Sequence, residues 1–119
     1  MKIKEVIDRL SEWSKEPLMP EEQVLKLINK LEKRILNDDL AMREANITYI
    51  EHTDINEDCI VPDEYADMYV FYVLSEVYAK RYETERAALH TSQFNNLYNS
   101  YASYVIRTYD PKPCAKITL

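Results

Sequence analysis

A chain of 119 residues and 14.1 kDa fits a single domain, and at that size it buries roughly two thirds of the surface its unfolded form exposes. Its 46% hydrophobic and 30% charged residues exclude wholesale disorder, and a glycine count of zero disfavours the tight hairpins that use cheap positive φ, so an all-helical architecture is expected. The net charge of −6 and pI near 4.9 exclude nucleic-acid binding as the main task, because that affinity comes from Lys and Arg neutralising phosphates; an acidic protein around DNA acts as a repelling wall.

Residues 2–14 place Ile3, Val6, Ile7, Leu10 and Trp13 at helical spacing, with Glu5 and Arg9 an i,i+4 pair on the opposite side. Charges threaded through this segment rule out the continuous apolar run of a signal peptide, and no later stretch reaches membrane-spanning length, so an intracellular, soluble protein with no membrane partner is expected. The linker KEPLMP, with two prolines, ends the first helix. Pro20, Glu21 and Glu22 then start a second one, since proline loses nothing at a helix start and acids suit the positive end of the dipole. Val24, Leu27, Ile28, Leu31 and Ile35 form its stripe, which is expected to run to about residue 40 or 45, weakened by Asn37, Asp38 and Asp39. ITYI at 47–50 is a short irregular or β-like segment before the polar loop EHTDINEDCIVP.

The start signal repeats at Pro62, Asp63 and Glu64. The third helix carries Tyr65, Tyr69, Tyr72 and Glu76 on one side and Phe71, Leu74, Tyr78 and Tyr82 on another, the pattern of a central helix with several neighbours. A fourth helix carries Phe94, Leu97, Tyr98, Tyr101, Val105 and Ile106 and ends near Thr108. One continuous helix over 63–107 would be about 67 Å long, too long for a domain of this size, so a break is expected at 83–85 or at Thr91–Ser92. The expected fold is therefore mainly α, a small bundle of about four helices in one domain over 1–109, followed by an extended or mobile tail over 110–119.

Motifs for chemistry fail on inspection. Asp54, Asn56 and Asp58 imitate the opening of a calcium loop, but Cys59 stands where the sharp turn needs glycine and Tyr65 where the bidentate glutamate belongs, which leaves a solvated acidic loop. His52, Cys59, His90 and Cys114 lack zinc-ligand spacing, and the default for both thiols is the reduced form. A Cys59 nucleophile with His52 or His90 has no glycine-bearing turn to present it. No catalytic residue, metal or cofactor is expected.

Nine of the ten tyrosines fall within residues 61–111. Aromatic residues at helical spacing are more often core than interface, yet so small a domain cannot fully bury nine, so some should be exposed or shared with a partner. The candidates are Tyr65, Tyr69, Tyr72, Tyr98, Tyr101 and Tyr104, with Arg107 and Lys112 as basic neighbours whose simpler role is to complement the helix dipole.

The elements EEQVLKLINKLEKRI, IVPDEYADMYVFYVLSEV, the acidic stretch at 83–85 and QFNNLYNSYASYVIRT, in that order, make the chain resemble the head-tail connector (adaptor, head-completion) proteins of long-tailed bacteriophages and of prophages in Gram-positive bacteria. Such relatives commonly carry a glycine before the acid near position 83; Tyr82 stands here, which would soften or move the helix break. The resemblance implies a structural subunit of the virion head-tail junction, assembled in the host cytoplasm. It would dock on the portal protein as a ring of about twelve copies and present a platform for a tail-completion or stopper protein, with DNA only as passing cargo. Residues 110–119 would then be a portal contact. The rival expectation is a helical adaptor or regulator outside the virion that binds a partner helix in a tyrosine-lined groove.

Overall fold

A computed structural model describes residues 1–13, 19–36 and 51–109. These form four α-helices, α1 (Ile3–Leu10), α2 (Glu21–Ile35), α3 (Asp67–Lys80) and α4 (Thr84–Tyr109), with a 3-10 turn at Asp63–Tyr65 leading into α3. The protein is mainly helical, as the absent glycine implies. The expected β-like segment at 47–50, any continuation of α2 beyond Leu36 and the tail over 110–119 lie outside the described residues.

Helix α3 is central. It packs along α4 and touches both α1 and α2, and buries Met68, Tyr69, Val70, Val73, Leu74, Val77 and Tyr78. Facing it are Ile3, Val6 and Leu10 of α1, Val24, Ile28, Leu31 and Ile35 of α2, and Phe94, Tyr98, Tyr101 and Val105 of α4, one continuous core. Helix α1 is shorter than its sequence stripe. The chain leaves the helix after Leu10, and Trp13 lies beyond it, 47% exposed, with its ring edge-on to His90 at 5.2 Å.

The acidic loop holds the start of α1. Its carbonyls accept the first amides of α1, Ile3 N–H to Glu57 O at 3.0 Å and Lys4 N–H to Ile55 O at 2.8 Å, so the polar loop serves as the N-terminal cap that Lys2 cannot provide. Cys59 N–H donates to Met1 O at 2.8 Å, and Lys2 and Asp58 form an antiparallel bridge. The Met1 ammonium pairs with Asp63; that hydrogen bond raises the pKa of the amine and lowers that of the carboxyl.

The break between α3 and α4 falls at residues 81–83, beside the expected acidic stretch, while Thr91 and Ser92 lie inside α4. Helix α3 ends in a Schellman motif: Glu83 N–H donates to Tyr78 O at 2.9 Å and Tyr82 N–H to Ala79 O at 3.1 Å. The residue that must turn left-handed is Tyr82, with φ 60°. A tyrosine therefore occupies a backbone position that suits glycine, and its side chain is 92% exposed instead of joining the apolar side of α3.

Candidate protein interface

Helix α4 has 26 residues and is about 39 Å long, whereas the 14 residues of α3 span about 21 Å. The last turns of α4 therefore continue past the start of α3 and lie against the 3-10 turn. There Tyr65 meets Tyr101 at 5.7 Å and Tyr104 at 5.5 Å between ring centroids, with Tyr101 and Tyr104 stacked at 6.3 Å. Tyr101 is buried, while Tyr65 and Tyr104 each keep part of the ring in solvent. Arg107, exposed one turn further along, donates from Nε to Ser103 O at 3.4 Å. Lys112 lies outside the described residues.

The remaining candidates belong mostly to the interior. Tyr72 is half-buried against Phe94, with ring centroids 5.4 Å apart; burial first, and Glu76 second, raise the pKa of its hydroxyl. Tyr98 is buried beneath the Arg34 guanidinium, which lies 4.8 Å from the ring centroid, a cation–π contact joining α2 to α4. Tyr69 is a correction to the sequence reading, being 0% exposed. Its hydroxyl accepts from Val61 N–H at 3.2 Å and donates to Glu32 Oε2 at 2.7 Å. The tyrosine set thus divides into core members, Tyr69, Tyr98 and Tyr101, and members with free ring surface, Tyr65, Tyr72 and Tyr104.

Glu32 organises a polar network that the sequence reading missed. It is 0% exposed between the apolar residues of α2, receives Ile60 N–H on Oε2 at 2.8 Å and has His52 Nε2 2.5 Å from Oε1. His52 Nδ1 lies 3.1 Å from Glu57 Oε1, and Glu57 Oε2 accepts from the Thr53 and Asp54 amides at 3.0 and 2.9 Å. The Thr53 amide, then His52, holds the Glu57 carboxyl below its ordinary pKa. Asn29 completes the arrangement with a two-way exchange: its Oδ1 accepts His52 N–H at 2.8 Å and its Nδ2 donates to His52 O at 3.1 Å. The one available sequence signal was an acid set on the core side of the α2 stripe, one turn after Ile28. Glu32 and Tyr69 are fully buried, and the cluster fastens the 51–61 segment to α2 and α3. Among the described residues, no group of three or more His, Cys, Asp or Glu side chains is arranged to hold a metal ion. Cys59 is buried, and desolvation pushes its thiol up to about 12. His90, the other histidine, is buried among the rings of Trp13, Phe71 and Tyr78.

Among the described residues, open clefts flank the core. One, about 410 Å³, lies along α2 and presents Lys26, Lys30, Lys33 and Arg34, with Lys33 paired to Glu51. Another, about 370 Å³, lies between the end of α1 and the start of α3, with a floor of Trp13, Val70 and Phe71 and a rim of Arg9, Glu12 and Asp67. No helix among the described residues is long and apolar enough to cross a membrane. No protein-family model, curated protein or solved structure matches the chain.

Proposed function

We propose that this chain is a structural subunit of a phage head-tail connector, acting through multimeric protein contacts and using no cofactor. It docks in multiple copies on the portal ring and offers the next tail component a platform around the DNA channel. The observation that supports this reading best is the end of the molecule where α4 outruns α3. There Tyr65 and Tyr104 keep ring surface in solvent on two rigid elements, with exposed Arg107 beside them. Tyrosine is suited to a surface that is wet in the free subunit and buried in the assembly, because it offers a flat apolar face and a polar tip at low entropic cost. A net charge of −6 is compatible with a channel that must not retain DNA.

Mixing the chain with the portal protein of the same phage or prophage and imaging the product by electron microscopy tests the proposal. The expected result is a portal ring decorated with a further ring of this chain. A normally folded chain that leaves the portal bare overturns it, and a complex of fixed low stoichiometry with one helical partner favours the adaptor alternative. Tyr65→Ala combined with Tyr104→Ala is expected to abolish decoration while leaving the helical circular dichroism signal intact, because these rings contribute only partly to the core.

A further inference from the structure

Tyr82 is set against the interests of folding. It holds a left-handed backbone with φ 60°, where glycine avoids the steric penalty, and its side chain, 92% exposed, recovers almost nothing by packing within the chain. Yet it carries an aromatic surface of roughly 150–250 Å², a large anchor to hold in water. The two residues before it, Lys80 and Arg81, are exposed cations with no ion-pair partner among the described residues. The tip of the α3–α4 hairpin is therefore an aromatic knob with Lys80 and Arg81 on its α3 side, while Glu83 on its α4 side pairs with Arg86 and Glu85 is exposed beyond it.

The cleft between α1 and α3 is its counterpart. Its floor of Trp13, Val70 and Phe71 is aromatic and apolar, and its volume of about 370 Å³ leaves room for one phenol ring. Trp13 is 47% exposed, an indole that the fold leaves uncovered. The rim carries Glu12, while Arg9 and Asp67 neutralise one another. Further along the outer side of α1, exposed Glu5 and Asp8 are offset by exposed Lys2 and Lys4, so the negative sign of the rim rests on Glu12. Knob and cleft thus match in size, apolarity and charge sign. Tyr82 cannot enter the cleft of its own chain, because Val70 and Tyr82 are twelve residues apart, about 18 Å along α3.

The geometry points to a head-to-tail contact between two copies of this chain, in which Tyr82 of one copy enters the Trp13–Val70–Phe71 cleft of the next and Lys80 and Arg81 face Glu12. Such a contact uses two different surfaces, so it repeats around a closed ring or along a filament and does not stop at a twofold dimer. It supplies the interface that the connector reading requires of a ring, but it is tested on the chain alone, so its failure and a failure to bind portal are separate results. A single knob in a single cleft is a small interface, and the free chain should associate weakly, on the order of 0.1–1 mM, with closure of a ring adding the remaining affinity.

Trp13 is the chain's one tryptophan and lies in the cleft, so its emission reports occupancy directly. Fluorescence and sedimentation equilibrium are measured on the full chain from 5 μM to 2 mM. A concentration-dependent change in Trp13 emission, in step with rising mass, is expected. Tyr82→Gly should weaken association about 30-fold, the loss of one aromatic anchor, with the fold at least as stable as before. Tyr82→Phe should retain association, and 1 M NaCl should weaken it. As a separate check, a photo-crosslinking phenylalanine at position 82, in a mixture of isotopically light and heavy chains, should couple to the Arg9–Trp13 or Asp67–Phe71 peptide of the other copy. A chain that remains monomeric at 2 mM, a Tyr82→Gly variant that associates like the parent, or crosslinks to other peptides overturns the contact.

Discussion

Replacing Glu32 separates a hydrogen-bonded core acid from one that is merely accommodated. In Glu32→Leu, three groups lose their partner inside the fold: the Tyr69 hydroxyl, the Ile60 amide and His52 Nε2, which lie 2.7, 2.8 and 2.5 Å from the carboxyl oxygens. Each stranded buried group costs about 1–3 kcal/mol, and the leucine offsets part of that sum by about 1.5–3 kcal/mol of apolar burial. A net loss of about 3–5 kcal/mol is expected, the cost of removing one partner from a buried network. That is a third or more of the stability typical of a single domain and corresponds to a fall in Tm of about 12–20 °C. Glu32→Gln keeps the shape. Its amide oxygen can accept from Tyr69 and Ile60, and its N–H can donate to His52 Nε2 once the imidazole proton sits on Nδ1 facing Glu57, so a loss of only about 1 kcal/mol is expected. Urea unfolding followed by circular dichroism measures both variants, since a domain of this size is expected to unfold in one step. If Glu32→Leu lies within 1 kcal/mol of the parent, or Glu32→Gln is as costly as Glu32→Leu, the network does not hold the fold as argued. A double-mutant cycle adds a second check: Tyr69→Phe should be at least 1 kcal/mol less costly in the Glu32→Leu background than in the parent.

Three further outcomes are expected. Tyr82→Gly should raise stability by about 0.5–1 kcal/mol in urea titration, because the relief of left-handed strain exceeds the added chain entropy of glycine; a destabilised variant would show that the exposed ring packs in the folded chain after all. The Glu57 carboxyl has its pKa below the ordinary 4.5, so its contribution is complete above that value and is lost as pH falls through the lower folded pKa. Glu57→Gln should therefore flatten the acid side of the stability profile below about pH 4.5, measured as urea midpoint between pH 3 and 7, and an unchanged slope would exclude Glu57 from acid sensitivity. Cys59, with its thiol raised to about 12 and buried, should resist iodoacetamide at pH 8 in the folded chain and react fully in urea, as read by mass spectrometry of its peptide; rapid labelling without urea would contradict its placement.

What could be read in advance was whatever a residue's own neighbours in sequence encode. The apolar stripes of α1, α2 and α4, the proline-acid starts at Pro20 and Pro62 and the need for a break in the second half all depend on spacing of a few residues, and the helices lie there. Even so, local signals misplaced two details. Trp13 continues the α1 stripe but falls outside the helix, and the break lies at Tyr82, a residue that local propensity does not favour for a left-handed turn.

The interface candidates show the same division. Helical spacing placed Tyr65, Tyr69 and Tyr72 along one side of a third helix, yet Tyr69 is enclosed by Glu32 and Val61, whereas Tyr65 lies in the 3-10 turn before α3 and keeps part of its ring in solvent next to Tyr104. Likewise the acidic loop read as solvated ligand-like residues, but Glu57 carries α1 on its carbonyl and His52 on its side chain. The sequence by itself determined that this protein is helical, that helical segments start beside Pro20 and Pro62, and that α1, α2 and α4 each carry an apolar stripe, because those properties follow from chirality, backbone hydrogen bonding and a 3.6-residue period. Only the tertiary structure decided which tyrosines are core and why a glutamate can sit there. Those facts depend on contacts between residues from eight to more than sixty positions apart, for which a local period carries no record.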